Sequence, residues 1–191
     1  MNKGKVVVIS GPSGVGKHTI FEQILKFSDL NLSYSVSMTT RKSRDGEVNG
    51  VDYFFVTNDE FEKAINNNEL IEWAEFCGNK YGTPKKNLID QINDGKNVAL
   101  EIEVIGANNI FKMIPHDELI SIFIIPPSID ELKQRLSNRG TETNDVINNR
   151  INRAYEELKE KDNYQFVVVN DNLEKCVKEI YNIIKDNIQN C

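Results

Sequence analysis

No apolar run in this 191-residue sequence is long enough to cross a bilayer, and its N-terminus carries no signal-peptide core. The expectation is a cytoplasmic protein with no membrane partner. Cysteine is scarce. Cys77, Cys176 and Cys191 are odd in number and lack metal-ligand spacing, which excludes a disulfide framework and a cysteine-built metal site and reads as reduced thiols. Basic residues are outnumbered 23 to 29, and a net charge of −6 argues against general binding to nucleic acid or anionic membranes. Internal repeats and low-complexity segments are absent as well, so 39% hydrophobic residues serve one good core. Arginine is also rare, and its placement is informative. All six arginines, 41, 44, 135, 139, 150 and 153, fall in two short windows of a chain that otherwise uses lysine. A planar fork in a lysine-rich chain suits phosphate.

What is present centres on Gly11-Pro12-Ser13-Gly14-Val15-Gly16-Lys17-His18-Thr19. The apolar, β-branched run 5–10 before it reads as a buried strand, and residues 20–27 after it have helical spacing. In that setting G-x-x-x-x-G-K is a phosphate loop. Its glycines let successive N–H groups point at an anion, the helix adds its positive end, and Lys17 reaches the β- and γ-phosphates of a nucleoside triphosphate. The loop departs from pattern at His18, where a magnesium-binding hydroxyl is usual; Thr19 comes one position later.

Along the chain, 32–37 alternates as one strand with a polar tip, 38–46 reads as a loop, and 51–56 as a strand. Thr57 and Glu60 have capping-box spacing for a helix to about 67. Residues 70–76 form a strand, another short one ends at 81–83, and Pro84 opens a helix to about 94. These closely spaced strands predict an inserted lobe, 37–96, with antiparallel pairing. Strand–helix alternation then resumes: strands at 97–103, 119–125 and 166–170, and helices at 105–113, 129–138, 144–161 and 172–188, with a polar loop at 139–143. Glu101 and Glu103 are expected on one face of the 97–103 strand. Trp73 is expected to pack between strand and helix, and His18 to be an exposed or half-exposed first-turn residue. The fold class is α/β, a P-loop NTPase-type mostly parallel sheet with helices on both faces, with the core at 1–36, 97–128 and 163–191.

With these stretches assembled, the chain resembles the guanylate kinase family over essentially its whole length. The resemblance is carried by GPSGVGK at 11–17, SVSMTTR at 35–41, GEVNGVDYFFV at 46–56, IEWAEF at 71–76, GNKYGT at 78–83, LEIEVIGA at 100–107 and RLSNRGTET at 135–143. It implies a GMP-binding lobe at 37–96, a lid at 129–162, and an ATP:GMP phosphotransferase using Mg²⁺ with ATP, as a monomer or homodimer. By position, Arg41, Arg44, Tyr53 and Tyr81 would hold the GMP phosphate, and Ser37, Glu72 and Thr83 would recognise guanine, with Glu103 also on the GMP side. Lys17, Arg44, Arg135, Arg139 and Arg150 would manage the transferring phosphoryl group. Residues 11–19 would hold ATP, with Asn170 near the adenine. No side chain is expected to ligate the metal directly. The sequence departs from the family where two aspartates are common and this chain has Glu101 and Glu103, and where Lys80 replaces an aromatic. The alternative is a non-catalytic interaction module of the same fold; such modules lack an intact phosphate loop and lid arginines. A kinase for another acceptor is a third reading, which Glu72 and Thr83 oppose.

Overall fold

A computed structural model describes residues 3–76, 78–137 and 144–189 of the chain. Among the described residues there are nine strands and seven α-helices. The strands are β1 (Val6–Ser10), β2 (Leu32–Tyr34), β3 (Ser37–Thr39), β4 (Tyr53–Phe55), β5 (Leu70–Phe76), β6 (Asn79–Pro84), β7 (Asn97–Glu101), β8 (Leu119–Ile125) and β9 (Phe166–Val169). The helices are α1 (Lys17–Ile24), α2 (Asn58–Asn66), α3 (Lys85–Asn93), α4 (Val104–Met113), α5 (Ile129–Ser137), α6 (Asn144–Lys159) and α7 (Leu173–Gln189).

Five strands form one parallel sheet in the order β2-β7-β1-β8-β9. Its centre is VVVIS, buried at every position. Odd and even residues of β1 feed opposite faces, as period-2 geometry requires. Val7 and Ile9 join Ile20 and Ile24 of α1 and Ile180 and Ile184 of α7. Val6 and Val8 join Leu88 of α3 and Val104, Ala107 and Ile110 of α4. Each such side chain contributes about 1.5–3 kcal/mol of burial. A strand apolar on both faces is stable only between two helical layers.

The second sheet has four strands in the order β4-β3-β6-β5. It rests on a small core of Phe61, Ala64 and Leu70, with Met38 and Val56 against it. The capping box predicted for α2 is complete: the Thr57 hydroxyl accepts from the Glu60 N–H at 3.2 Å, and the Thr57 N–H donates to the Glu60 carboxylate at 2.7 Å. Helices α5 and α6 share a third core of Leu132, Leu136, Ile151 and Ala154.

Four expectations need correction. The alternating run 32–37 is two strands, because β2 pairs with β7 in the large sheet while β3 pairs with β4 and β6 in the small one. Alternation specifies a face and not a partner. The small sheet is not wholly antiparallel: β3 and β4 run parallel, which the long connection over 40–52 permits. Glu103 does not share a strand face with Glu101, since β7 ends at Glu101 and Glu103 is the N-cap of α4. Trp73 is 41% exposed rather than packed inside. The predicted 139–143 loop, Cys77 and Cys191 lie outside the described residues.

Candidate active site

β1 delivers the chain into the glycine loop, and the loop ends at Gly16, the N-cap of α1, with φ 97° and ψ 22°. That left-handed conformation strains any residue with a Cβ, and it turns the chain so that α1 starts at Lys17. Lys17 is buried, and its Nζ donates to the Gly11 carbonyl at 2.6 Å and lies 3.5 Å from Glu103 Oε1. The predicted loop lysine thus lies folded over its own loop. Pro12, Ser13 and Val15 are buried beside it, whereas His18 and Thr19 are exposed.

Two segments distant in sequence close over the loop. Arg135 of α5 donates to the Asn170 carbonyl at 3.0 Å, and the Asn170 amide donates to the Val15 carbonyl at 2.8 Å. Arg150 of α6 donates to the Ser13 hydroxyl at 2.7 Å. One turn of α6 on from Arg153, the buried Glu157 accepts the Ser13 N–H at 3.2 Å and an Arg153 N–H at 2.7 Å. Glu157 escaped the sequence reading, although its spacing of seven from Arg150 and four from Arg153 puts all three on one helix side. Arg139 lies outside the described residues.

On the small sheet, Arg41 lies over the Tyr53 ring at 5.4 Å, and the Tyr53 and Tyr81 rings meet edge-on at 6.0 Å between centroids. Tyr53 is pushed up to about 12, mainly by burial. The Arg41 guanidinium makes a two-pronged bond to Glu47 at 2.8 and 3.0 Å, which lowers the Glu47 carboxyl. Glu47 has no sequence signal beyond its proximity to Arg41 and Arg44. The Arg44 side chain is exposed, with its backbone N–H on the same carboxylate at 2.7 Å. Ser37 is buried opposite Tyr53 in the β3–β4 pair.

Glu72 and Thr83 are neighbours across β5 and β6, both buried, and the Thr83 hydroxyl donates to Glu72 Oε1 at 2.6 Å. Burial pushes Glu72 up from its ordinary 4.5 to about 7, against the opposing pull of the Thr83 bonds. A buried acid held by a neutral threonine is unusual in a structural wall.

The two acidic residues at the end of β7 separate. Glu101 Oε2 lies 3.1 Å from His18 Nδ1, which raises the imidazole pKa, while Glu103 faces Lys17. Among the described residues no group of three or more His, Cys, Asp or Glu is placed to hold a metal. Glu103 Oε2, however, is buried with no hydrogen-bond partner among them. A spare acceptor oxygen beside a phosphate loop fits a hydrated Mg²⁺ that arrives on a nucleotide and keeps most of its water.

A lysine-bearing glycine loop with arginines brought over it from a separate helical pair is the donor side of a P-loop phosphotransferase. Comparison with known proteins narrows that class. The model of the family described as Guanylate kinase matches residues 3–187. A guanylate kinase of Malacoplasma penetrans is 53% identical over 97% of this chain and 95% of its own length. One of Mesoplasma florum is 52% identical over 96% of this chain, which spans 61% of that relative's length. The solved guanylate kinase of Anaplasma phagocytophilum superposes with a TM-score of 0.81 at 34% identity, covering 98% of this chain and 88% of that one. The chain belongs to the guanylate kinase family, and it is a kinase.

Proposed function

We propose that the protein transfers the γ-phosphoryl group of Mg-ATP to GMP or dGMP, giving ADP and the corresponding diphosphate. The observation that carries this reading is the buried Glu72–Thr83 pair, seated against α4, whose N-cap Glu103 faces Lys17. One helix start thus links an acceptor wall to the donor loop. Guanine presents N1–H and N2–H₂ side by side with O6 adjacent. Ionised Glu72 accepts from both donors, and the Thr83 hydroxyl turns from Glu72 to O6. Adenine offers a lone pair at N1 and nothing at C2, so the buried carboxylate faces it unpaired.

Each nucleotide displaces an internal bond. Lys17 exchanges the Gly11 carbonyl for the triphosphate, and Arg41 exchanges Glu47 for the GMP phosphate alongside Arg44, Tyr53 and Tyr81. Arg135, Arg139 and Arg150 spread charge over the transferring group from the α5–α6 side, and Asn170 borders the adenine. Mg²⁺, accommodated through water near Glu103, supplies charge neutralisation on the phosphates when bound. The acceptor phosphate has a second pKa near 6 and is largely ionised at neutral pH, so no general base is needed. The catalytic task is to offset repulsion between two polyanions and to exclude water. The intact loop and lid arginines support an enzyme over an interaction module. The buried, unbridged Cys176 suits a reducing cytoplasm.

A coupled assay with ATP and GMP, AMP, UMP or CMP tests the reading. GMP should be preferred by at least about a hundredfold in kcat/KM. Equal use of AMP would overturn it.

Acidity should matter on the acceptor side alone. Glu72 must be ionised to take both guanine donors, and its free-state value near 7 leaves mostly the protonated form at pH 6. The KM for GMP should rise about tenfold from pH 8 to pH 6, as the ionised fraction falls. Protonation of GMP itself accounts for at most about twofold at pH 6. Steady-state titration at both pH values checks this, and a flat KM for GMP would refute it.

A further inference from the structure

The Glu72 carboxylate lies against a helix that lacks a side chain at the point of contact. Gly106 is the third residue of α4 and is buried. A Cβ added there would stand 2.6 Å from Glu72 Oε2, 3.2 Å from its Cδ and 3.7 Å from Oε1, and these are the three nearest atoms to it. Separations under about 3 Å do not occur for real Cβ atoms. Gly106 is not among the residues of positive φ, so its backbone does not call for glycine. Helix propensity disfavours glycine there, since alanine is the better helix former. What bars a side chain at 106 is the carboxylate itself. On its other oxygen Glu72 is held by the Thr83 hydroxyl at 2.6 Å, so the group is clamped between that hydroxyl and bare helix backbone. The first turn of α4 adds amide N–H groups that have no intrahelical acceptor, a setting that favours a carboxylate.

We propose that Gly106 is a positioning residue that sets base specificity: its bare backbone seats the Glu72 carboxylate, and a methyl group at 106 displaces it from the guanine edge. This rests on the reading of Glu72 as the group that recognises guanine. The displaced atoms are the far end of a flexible side chain, so the helix and sheet stay in place while the acceptor oxygens move. Reading N1–H and the exocyclic amine together suffers most, because that pairing needs both oxygens in register. A base lacking that amine loses less.

The test compares wild type, Gly106→Ala, Glu72→Gln and the double variant, with GMP and IMP as acceptors. IMP has guanine's N1–H and O6 but no 2-amino group. Gly106→Ala should lower kcat/KM for GMP by about ten- to a hundredfold, chiefly through KM, and reduce the preference for GMP over IMP. The KM for ATP should stay within about twofold, and Tm should hold or rise. In the double variant, alanine should add less than about twofold to the loss caused by Glu72→Gln, because the two changes act on one carboxylate. A Gly106→Ala enzyme with wild-type GMP kinetics beside a crippled Glu72→Gln overturns the proposal and leaves Glu72 as the guanine reader. Equal losses toward ATP and GMP, or a fall in Tm of more than about 5 °C, reduce Gly106 to a packing residue and overturn it too. A Glu72→Gln enzyme that uses GMP normally removes the reading of Glu72 itself, and the proposal with it.

Discussion

Lys17→Met should lower kcat by at least about a thousandfold while leaving the fold intact. Methionine keeps the length and much of the volume of the side chain, so the buried slot beside Gly11 stays filled. What is lost is the charge of the loop's lysine, at a buried site where charge is weakly screened. In the free protein the change also removes the donor to the Gly11 carbonyl, which should cost about 1 kcal/mol and leave Tm within a few degrees. Single-turnover measurement with saturating ATP and GMP separates this loss from weakened binding. Activity within tenfold of wild type would end the phosphate-loop mechanism.

Glu72→Gln should reduce kcat/KM for GMP by at least about a hundredfold and leave ATP binding unchanged. Glutamine replaces one acceptor oxygen with an NH₂ group, which then meets a guanine donor head-on. The buried mismatch is expensive because neither group reaches water. The same change should stabilise the free protein, and the sign follows from the acid's direction of shift. Glu72 titrates at about 7 when folded against an ordinary 4.5, so the native state holds the extra proton between those values. Stability therefore falls as pH rises through that window, and above pH 7 the ionised buried carboxylate costs on the order of 2–4 kcal/mol. Glutamine carries no charge, so its Tm advantage should be full at pH 8 and nearly absent at pH 4. A variant with lost GMP use and no gain in Tm at pH 8 would show that the carboxylate is not strained by burial. A variant that keeps the GMP preference would dismiss Glu72 as the reader of guanine. A stability gain paired with lost function is the expected signature of a site held charged for its ligand.

Much of this was legible in the order of residues. The buried run before Gly11, the glycine loop and the apolar spacing after Lys17 specify strand, turn and helix by local rules, and the structure has each in place. The α2 capping box was readable because Thr57 and Glu60 satisfy each other within one turn. At Ser128 only half of the analogous box forms, with the serine accepting the Glu131 N–H at 3.1 Å while the Glu131 carboxylate takes Arg135 instead. A motif names the available partners, and the nearest charge decides among them.

The arrangement of the site needed the tertiary structure. Alternation over 32–37 fixes which side chains share a face, but the division of that run between two sheets depends on where β7 and β6 lie. Glu101 and Glu103 look equivalent in sequence, yet one ends a strand beside His18 and the other caps a helix beside Lys17. Glu157 meets Ser13 across 144 residues of chain. Gly106 bears on Glu72 through space that no spacing rule describes. By itself, the sequence determined most of the elements, the phosphate loop and the residue types available to two nucleotides, because those follow from hydrogen bonds and periodicities only a few residues long. The tertiary structure decided which acid faces which cation and which backbone lies bare against a carboxylate, because those contacts join segments distant in the chain and are set by packing alone.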